Sequence, residues 1–546
     1  MASLSSEHEN LLDALDASAQ RHTSTIFFPE ENESVSLRRM LTTAGDVSRL
    51  LAGEKAGPGE VVGLLGGNNR TTLESLLGIL GTGAAVSILP SPVGVGDWDR
   101  TVRRVENFID TAGMSHLVVD AEQQAIAAWI SRSRPAVRTL VAPLSGGPAK
   151  PPPHISRQMR AVVQFTSGST ARSKGVVLTH SNVLHGLDNI VVGSRYTSED
   201  SLYQWVPLFH DMGLFGALNT LAAGGDLHLV SPYTYVRRPG DILRYLGEKR
   251  ITATTGPDFF YERLATAAAQ LDLAGLDLSS WRVAFNGAEE VRAETIAKAR
   301  EQLAPAGFRP ATMFPVYGMA EATLAVSFGD VEAAPVVNHF DRRALSEGRV
   351  ALPSGPGPGN RALVSVGWPV GTMRMRIRGT GGDLCGPAEV GEIEISGPAV
   401  TAGYVRPGGA FQPAGRDGWF ATGDLGFEHD GHYYICGRAK ELVIVAGQNY
   451  YAEDVEDSVR SLPGVFRGNC VATARAADET MVVVVETRDP LNGLAAQVEA
   501  AVRARTGLSR IQVHLVAPGF LPRTTSGKKK RTSVLRLLDT TPPAGR

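Results

Sequence analysis

Cysteine is rare in this sequence. Only three cysteines occur in 546 residues, and Cys385, Cys436 and Cys470 lie far apart from one another. None of them belongs to a Cys-x-x-Cys pair or to a Cys/His spacing typical of a metal site. The simplest interpretation is a protein from a reducing, cytoplasmic setting.

Long apolar runs and a strong charge imbalance are also missing. No apolar run approaches the ~20 residues needed to cross a bilayer, so we expect no membrane span. The first ten residues are polar and acidic, which predicts no signal peptide. A net charge of −2 gives no electrostatic footprint for nucleic acid. With 43% hydrophobic and 20% charged residues, the composition is that of a soluble globular protein, long enough for two or more domains.

The two most familiar nucleotide-binding signatures are absent. Gly63–Asn69 holds no Gly-x-Gly-x-x-Gly, and the loop before Lys174 is no Walker A sequence, because a strand follows it in place of a helix. That loop nevertheless suits a polyphosphate, since hydroxyls and backbone N–H groups can donate to phosphate oxygens and a lysine supplies charge. An ordinary Ser/Thr/Gly surface turn is the alternative. The candidate phosphate ligands are Thr166, Ser167, Gly168, Ser169, Thr170 and Lys174.

Helices and strands alternate between residues 37 and 145. This rhythm predicts an α/β fold in which helices cover the faces of a mostly parallel sheet. After the phosphate loop, Ser181 is predicted to cap a helix through Leu187. The predicted strands are Val61–Leu65, Val86–Leu89, Leu117–Val119, Leu140–Val141, Ala161–Phe165 and Val176–Leu178, and the predicted helices are Leu37–Leu51, Thr71–Ile79, Trp98–Ile109 and Glu122–Ile130.

Two further segments carry polar groups inside or after apolar runs. His210 and Asp211 precede Gly213 in an apolar segment, where a histidine is more often a core residue than a gate near a carboxylate substrate. Gly287-Ala288-Glu289 follows a predicted strand, and Tyr317-Gly318-Met319-Ala320-Glu321 follows another. A tyrosine and a glycine turn can enclose a purine, and a glutamate can hold Mg²⁺ beside phosphates. Each turn alone is more often structural.

The C-terminal part adds an aspartate, an arginine and two lysines. Asp424 ends a predicted strand, and Arg438 and Lys440 stand in the block 437–449 that follows. A turn shaped by Pro522 and Gly527 presents Lys528, although a basic run near a C-terminus is usually a solvated tail. From about residue 438 the pattern is compact and αβ, with helices predicted at Glu453–Ser461 and Ala495–Thr506 and a strand at Val482–Val485.

Taken in this order, the blocks resemble the adenylate-forming superfamily of acyl-CoA synthetases, nonribosomal adenylation domains and luciferases. The resemblance covers about residues 37 to 535. Within the superfamily it is most similar to the fatty acyl-AMP ligases, on His210–Leu214, Leu278–Trp281 leading into Asn286–Glu289, and Tyr317–Leu324, with Ala320 where most of the superfamily has threonine. It implies a large N-terminal domain, residues 1–437, of two packed sheets with helices plus a distorted barrel. A small mobile α+β domain, residues 438–546, would follow.

The stretch between Glu321 and Gly367 is longer than we expect in a CoA-using relative. The additional residues lie at about Asn338–Ala362. They resemble the insertion that in fatty acyl-AMP ligases is linked to poor CoA use. A disordered loop is the alternative. If it packs, we expect its apolar residues to dock on the larger domain; these are Phe340, Leu345, Val350, Leu352 and Leu363.

The resemblance also implies a reaction. A fatty acid would be activated with Mg·ATP to acyl-AMP and pyrophosphate, and the acyl group would pass to the phosphopantetheine thiol of an acyl carrier protein in trans. Thr166–Thr170 and Lys174 would hold the β,γ-phosphates, Glu321 the Mg²⁺, Gly287–Glu289 and Tyr317–Met319 the adenine, and Asp424 with Arg438 the ribose. Lys528 would bridge carboxylate and α-phosphate. Lys440 would be the hinge, and His210, with Asp211 and Gly213, would form the gate beside the substrate.

Some residues differ from the family pattern, and other functions remain possible alternatives. Ala171, Ser173 and Glu290 replace the usual glycine, proline and proline of the family, and Asp258, where asparagine is usual, is predicted to alter the acyl pocket lining. A fatty acyl-CoA synthetase, an adenylating enzyme for amino or aryl acids, and an inactive nucleotide-binding relative are the alternatives. The presence of Lys528, Glu321, Asp424 and Arg438 argues against the inactive relative.

Overall fold

The computed structural model describes residues 3–91, 98–144, 150–151, 153–166, 174–348, 357, 359–387, 389–445, 448–475, 480–490, 493–508, 510–523 and 529–540. Within these ranges the helices are α1 Leu4–Glu7, α2 Leu11–Arg21, α3 Leu37–Gly53, α4 Arg70–Gly81, α5 Trp98–Ala112, α6 Gln124–Ser133, α7 His180–Ser194, α8 Asp211–Ala223, α9 Pro232–Arg237, α10 Pro239–Glu248, α11 Asp258–Ala268, α12 Ala293–Leu303, α13 Arg342–Glu347, α14 Ala452–Arg460, α15 Leu494–Thr506 and α16 Arg531–Thr540. None of these helices is long and apolar enough to cross a membrane.

The strands in the same ranges are β1 Thr25–Phe28, β2 Glu33–Ser36, β3 Val61–Leu65, β4 Ala85–Ile88, β5 His116–Asp120, β6 Arg138–Ala142, β7 Arg160–Phe165, β8 Gly175–Thr179, β9 Ser201–Gln204, β10 Asp226–Leu229, β11 Ala253–Gly256, β12 Val283–Asn286, β13 Met313–Gly318, β14 Ala325–Phe328, β15 Val337–Asp341, β16 Asn360–Val364, β17 Trp368–Pro369, β18 Arg374–Arg378, β19 Gly391–Ser396, β20 Gly403–Arg406, β21 Ala410–Pro413, β22 Phe420–His429, β23 His432–Arg438, β24 Leu442–Val445, β25 Gln448–Tyr451, β26 Cys470–Arg475, β27 Thr480–Glu486 and β28 Ile511–Val516.

The chain divides into two compact units. The first unit comprises Met1–Pro335, Val366–Arg374 and Ile395–Phe420, and the second comprises Val336–Ser365, Met375–Glu394 and Ala421–Arg546. The described part of the predicted insertion, with β15, α13 and β16, thus groups with the C-terminal part of the chain. A single division at residue 437/438, as the sequence suggested, stays a prediction about how the protein moves.

Two large sheets form the first unit. One has nine strands in the order β17-β14-β13-β12-β11-β9-β10-β1-β2, and the other has eight in the order β21-β20-β8-β7-β4-β3-β5-β6. Strands β1, β10, β9, β11, β12 and β13 run parallel, as do β6, β5, β3, β4 and β7. The antiparallel pairings are β2 with β1, β14 with β13 and β17, β8 with β7 and β20, and β20 with β21. This confirms the predicted α/β fold with mixed sheets and helices.

The parallel strands are buried because their sequences are apolar without alternation. All five residues of β3 (Val-Val-Gly-Leu-Leu) are buried, as expected for a strand covered on both faces. The strands and helices predicted between residues 37 and 145 are all found, with ends that differ by a few residues.

The helix after the phosphate loop was placed wrongly at both ends. Thr179, and not Ser181, is the N-cap, because its hydroxyl accepts from the backbone N–H of Asn182 while the Asn182 side chain accepts from the backbone N–H of Thr179. This reciprocal capping box fixes the start of α7. The helix then continues beyond Leu187 to Ser194, since Ile190 extends the buried apolar stripe.

The second unit contains smaller sheets. Strands β18-β19-β22-β23 form a four-stranded sheet, and β26-β27-β28 form a three-stranded sheet against α14, α15 and α16. The described pairings of the four-stranded sheet do not close on themselves, so the expected distorted barrel stays a prediction.

Candidate active site

The phosphate loop joins β7 to β8, two antiparallel neighbours in the eight-stranded sheet. Thr166 and Lys174 are described and half-buried. The other candidate ligands of the loop, Ser167, Gly168, Ser169 and Thr170, lie outside the described residues, as do Ala171 and Ser173. The two predicted strands are therefore confirmed, and the connection between them and the positions of those ligands stay a prediction.

The structure brings Lys174 and Glu321 together. The Lys174 Nζ lies 3.6 Å from Glu321 Oε1, and both side chains are largely withdrawn from solvent. Tyr404, which sequence reasoning missed, completes the group. Its hydroxyl donates to Glu321 Oε1 at 2.9 Å, and its ring centroid lies 3.9 Å from the Lys174 Nζ. A cation, an anion and a phenol thus meet directly beside the phosphate loop.

A strained turn follows Glu321. Thr323 has φ 64° and ψ −61°, and the Leu324 N–H donates to the Ala322 carbonyl at 2.7 Å, which closes a γ-turn of the rare positive-φ kind. Such a conformation costs a β-branched residue about 1–3 kcal/mol and persists only when its surroundings enforce it.

The surroundings of Thr323 supply that constraint. Its hydroxyl lies 3.1 Å from the carbonyl oxygens of both Asn182 and Ala399, and the side chain is fully buried. Its methyl group packs against Gly186, where an added Cβ would approach it to 2.6 Å. Asn182 and Gly186 belong to α7, the helix that follows the phosphate loop and β8, so the turn carrying Glu321 is fastened to the element that the loop leads into.

The His210 segment is tied to the same strand pair. The buried Gln164, on β7, donates to the carbonyl of Phe209 at 2.6 Å. His210 is the N-cap residue of α8, and Asp211 accepts from the Met212 N–H. Only glycine fits at position 213, because a Cβ there would lie 2.1 Å from the Pro207 carbonyl oxygen. His210 is half-buried at the start of a helix, as a gate residue requires, and its gating role stays a prediction.

The predicted adenine-binding turns follow neighbouring parallel strands. Gly287–Glu289 follows β12, and Tyr317 and Gly318 end β13, which pairs with β12 in parallel. The carboxyl ends of parallel strands in an open α/β sheet are where ligands usually bind. Ala288 has φ 64°, and Gly318 has no room for a Cβ because the Leu324 carbonyl oxygen would be 2.0 Å away. Tyr317 is mostly buried, and Met319 next to it is partly accessible.

Asp258 organises the first of these turns and does not line a pocket. Its side chain is 0% exposed. It pairs with Arg292 at 2.7 Å and accepts from the Asn286 side chain and the Thr295 hydroxyl. The prediction that Asp258 alters the acyl pocket lining is therefore wrong, because both carboxylate oxygens are used inside the protein. Glu289, in turn, accepts from the Phe259 N–H at the start of α11 and partly serves as a cap.

The second unit places two predicted ribose ligands side by side. Asp424 on β22 and Arg438 on β23 are partners in the strand register, and the Arg438 Nε lies 3.1 Å from Asp424 Oδ1. Lys440 follows in an exposed 3-10 turn, Ala439–Glu441.

A buried ion cluster includes two residues that closely follow Lys528 in the sequence, Lys529 and Arg531. Lys528 itself lies outside the described residues, but Lys529 and Arg531 both pair with the buried Glu456, at 2.7 Å each. Burial would raise the pKa of Glu456, but the charges of Lys529 and Arg531 lower it to about 2. Arg531 also pairs with Glu441, directly after Lys440.

The described part of the insertion packs within the second unit. Phe340 is fully buried, with ring centroids 4.8 Å from Phe427 and 5.1 Å from Tyr434. Leu345 and Leu363 belong to the same cluster, whereas Val350 and Leu352 lie outside the described residues. Beyond the hinge candidate Lys440, the Tyr451 hydroxyl donates to the Leu345 carbonyl at 3.2 Å and Arg342 forms an ion pair with Asp454. The insertion therefore contacts residues on both sides of Lys440, not only the larger predicted domain.

The donor set at Glu321 suits Mg²⁺. No group of three or more His, Cys, Asp or Glu side chains that could hold a metal ion gathers among the described residues. One carboxylate next to a phosphate loop is the usual protein contribution for Mg²⁺, which takes its remaining ligands from phosphates and water.

The comparisons with known proteins agree with this geometry. A family model described as "AMP-binding enzyme" matches residues 15–405, and one described as "Disco-interacting protein 2-like, AMP domain" matches residues 440–538. The medium-chain-fatty-acid–acyl-carrier-protein ligase JamA of Moorena producens is 34% identical, over 70% of this chain and 68% of its own. The long-chain-fatty-acid–AMP ligase FadD23 of Mycobacterium tuberculosis is 31% identical, over 70% and 69%. A structure from a study of fatty acyl-adenylate ligases of E. coli and L. pneumophila has a TM-score of 0.88 at 26% identity, covering 98% of both chains.

The chain belongs to the AMP-binding enzymes, among the fatty acyl-AMP ligases. Within this ligase, the residues that sequence reasoning missed are Tyr404, Thr323 and Glu456. Tyr404 is 83 residues from Glu321. Only the pairing of β20 with β8, which sets Tyr404 opposite Val176, brings it to the loop. The sequence signal that was available for Thr323 was its place two residues after Glu321.

The ligase offers a clean test of Asp258. Asp258→Ala leaves Arg292 without its buried partner, so we expect the free energy of unfolding to fall by about 3–5 kcal/mol. Asp258→Asn keeps a hydrogen-bond acceptor and should cost less. Urea unfolding followed by tryptophan fluorescence measures both.

The matched control is Glu262→Ala. Glu262 pairs with the same arginine at 3.0 Å, but its side chain is 44% exposed, so its loss should cost about 1 kcal/mol or less. Equal losses for Asp258→Ala and Glu262→Ala would contradict the role given to Asp258.

Proposed function

We propose that this protein is an ATP-dependent fatty acid adenylating ligase that forms acyl-AMP and passes the acyl group to an acyl carrier protein. The observation that carries the proposal is the Lys174–Glu321 pair at the mouth of the phosphate loop, 3.6 Å apart, in a chain of this family. Opposite charges at this place suit the two components of Mg·ATP, since lysine attracts phosphate oxygens and a carboxylate binds the metal.

The proposed reaction needs little covalent chemistry from the protein. A carboxylate oxygen of the fatty acid attacks the α-phosphorus of ATP, the bond from that phosphorus to the bridging oxygen breaks, and pyrophosphate leaves with the electron pair. Positioning and charge neutralisation supply the acceleration. Bound Mg²⁺, held by Glu321, would neutralise phosphate charge.

Each proposed ligand has a distinct task. Thr166, Ser167–Thr170 and Lys174 bind the β,γ-phosphates, Gly287–Glu289 and Tyr317–Met319 enclose the adenine, and Asp424 with Arg438 binds the ribose. Lys528 bridges the substrate carboxylate and the α-phosphate. His210, with Asp211 and Gly213, lies at the entrance for the fatty acid. In the ligand-free protein Arg438 pairs with Asp424, so ribose hydroxyls would share that carboxylate with the guanidinium.

An acyl carrier protein is the proposed acceptor. The names of JamA of M. producens and of TtuA of Teredinibacter turnerae, 30% identical over 82% of this chain, describe medium-chain-fatty-acid–acyl-carrier-protein ligases. A phosphopantetheine thiolate would attack the acyl carbonyl of the adenylate and displace AMP. The proposed context is a polyketide, lipopeptide or lipid pathway.

The insertion is proposed to disfavour CoA as the acceptor. On the N-terminal side of Lys440 the insertion contacts Phe427 and Tyr434. On the C-terminal side it contacts Tyr451 and Asp454. Contacts on both sides of a hinge resist rotation about it, and such a rotation would follow adenylation. The acyl-AMP would then persist until the carrier protein arrives.

The proposed function predicts a chain-length dependence. Fatty-acid-dependent exchange of labelled pyrophosphate into ATP should rise from acetate to medium and long chains, because each buried methylene adds up to ~0.8 kcal/mol of binding. The gain should stop once the chain is longer than the pocket. A preference for amino acids, aryl acids or acetate would place the enzyme outside the fatty acid branch, and no exchange with any acid would indicate an inactive relative.

Lys528→Ala tests the proposed charge-bridging lysine. Adenylate formation should fall roughly a hundredfold or more, the scale of losing one preorganised donor, while ATP affinity changes much less. Stopped assays of acyl-AMP by mass spectrometry measure the rate. Lys530→Ala is the control from the same segment. Lys529→Ala is unsuitable as a control, because it removes a partner of the buried Glu456 and should lower the melting temperature. Similar rates of adenylate formation in Lys528→Ala and Lys530→Ala would contradict the bridging role and indicate that Lys528 is one residue of a generic basic tail.

If the contacts between the insertion and the residues around Lys440 disfavour CoA, breaking them should increase the use of CoA as acceptor. With fatty acid, Mg·ATP and CoA, the wild-type enzyme should accumulate acyl-AMP and form little acyl-CoA. Arg342→Ala, which breaks the pair with Asp454, and a shortened insertion should each raise acyl-CoA formation severalfold without abolishing adenylation. Arg343→Ala is the control, because that side chain is 87% exposed and pairs with Glu347 of its own helix.

Two outcomes would contradict this role of the insertion. Rapid acyl-CoA synthesis by the wild-type enzyme would favour the acyl-CoA synthetase alternative. Unchanged CoA turnover in Arg342→Ala and in the shortened enzyme would show that CoA use has been lost elsewhere in the chain.

A further inference from the structure

Tyr404 occupies a place to which the proposed reaction gives no task. It lies on β20, opposite Val176 of β8, and only 7% of it is exposed. Its hydroxyl donates to Glu321 Oε1 at 2.9 Å and the face of its ring carries the Lys174 ammonium at 3.9 Å. One side chain thus contacts both charged residues proposed to receive Mg·ATP.

The distances show that the two charges do not touch. The separation of 3.6 Å between Lys174 Nζ and Glu321 Oε1 is longer than the 2.7–2.9 Å of a charge-assisted hydrogen bond. The phenol uses one acceptor site on Oε1, and the ring attracts the ammonium to its face. Tyr404 thus contacts both members of an ion pair that is longer than a hydrogen bond.

The phenol keeps this role at neutral pH. Burial raises the pKa of Tyr404, and the nearby carboxylate of Glu321 raises it further. The hydroxyl is accordingly protonated and able to donate at neutral pH. Arg406, with its guanidinium 5.8 Å from the ring centroid, and Lys174 are the cations near it.

We propose that Tyr404 is a positioning residue that keeps Lys174 and Glu321 from closing into a direct ion pair, so that Mg·ATP can separate them. This rests on the proposed function, since it assumes that Lys174 binds phosphate and Glu321 binds the metal. Binding of Mg·ATP must overcome the electrostatic attraction between Lys174 and Glu321. Closing the pair from 3.6 Å to hydrogen-bonding distance, at an effective dielectric constant of about 20, strengthens that attraction by an amount worth about tenfold in affinity.

Tyr404→Phe tests the proposal without removing the ring. The dissociation constant of the Mg²⁺ complex of a non-hydrolysable ATP analogue, measured by calorimetry without fatty acid, should rise about fivefold to tenfold, while kcat at saturating ATP changes less than twofold. Tyr196→Phe is the matched control, because it removes another buried phenol from the same unit, one bonded to Thr220 at 3.0 Å, and should leave nucleotide affinity unchanged. An unchanged dissociation constant in Tyr404→Phe would overturn the proposal.

A second measurement needs no nucleotide. In the ligand-free enzyme, a direct pair with Glu321 should make Lys174 less reactive, so an amine-acylating reagent should label it severalfold more slowly in Tyr404→Phe than in the wild type. Peptide mass spectrometry gives the rate. Equal or faster labelling of Lys174 would mean that the pair does not close, and would also overturn the proposal. If the wild-type enzyme binds no Mg-nucleotide, the proposed function fails, while the labelling rates still decide the role of Tyr404.

Discussion

The site in the first unit depends on one strained turn. Glu321 lies two residues before Thr323, which is held at positive φ by a buried hydroxyl contact and by the space that Gly186 leaves. Gly186 belongs to α7, which begins where β8 ends, so Glu321 and β8 are supported by the same helix. Tyr404 then determines how closely the two opposite charges of that site approach.

In the second unit, buried ion pairs connect the proposed functional segments. Glu456 is buried, and an unpaired charge there would lower the stability of the fold, but Lys529 and Arg531 neutralise it. Arg531 also pairs with Glu441. The residues after the proposed catalytic lysine are thereby linked to the turn that contains Lys440. The insertion contacts residues on either side of the same turn. The groups proposed to act in adenylation and in acceptor choice are thus connected, which is why we expect Arg342 to affect CoA use.

Sequence reasoning reached most of the fold and part of the site. The uninterrupted apolar strands and the loop from Thr166 to Lys174 were recognisable because local pattern determines them. Tyr404 was not, because strand register alone brings it to Glu321. Asp258 was misinterpreted as a pocket residue, since its partner Arg292 is 34 residues away and nothing local shows that the carboxylate is buried. Helix α7 was misplaced at its cap because Thr179 and Ser181 are both good N-cap residues, and only the hydrogen bonds of Asn182 decide between them.

The most direct test of the account is a crystal structure of the enzyme with Mg²⁺ and a non-hydrolysable ATP analogue, in which two distances are measured. The account predicts that Lys174 Nζ lies within hydrogen-bonding distance of a β- or γ-phosphate oxygen and that a carboxylate oxygen of Glu321 coordinates the metal, with the two side chains no longer 3.6 Å apart. A bound nucleotide that leaves the Lys174–Glu321 pair intact, with its phosphates elsewhere, would contradict it.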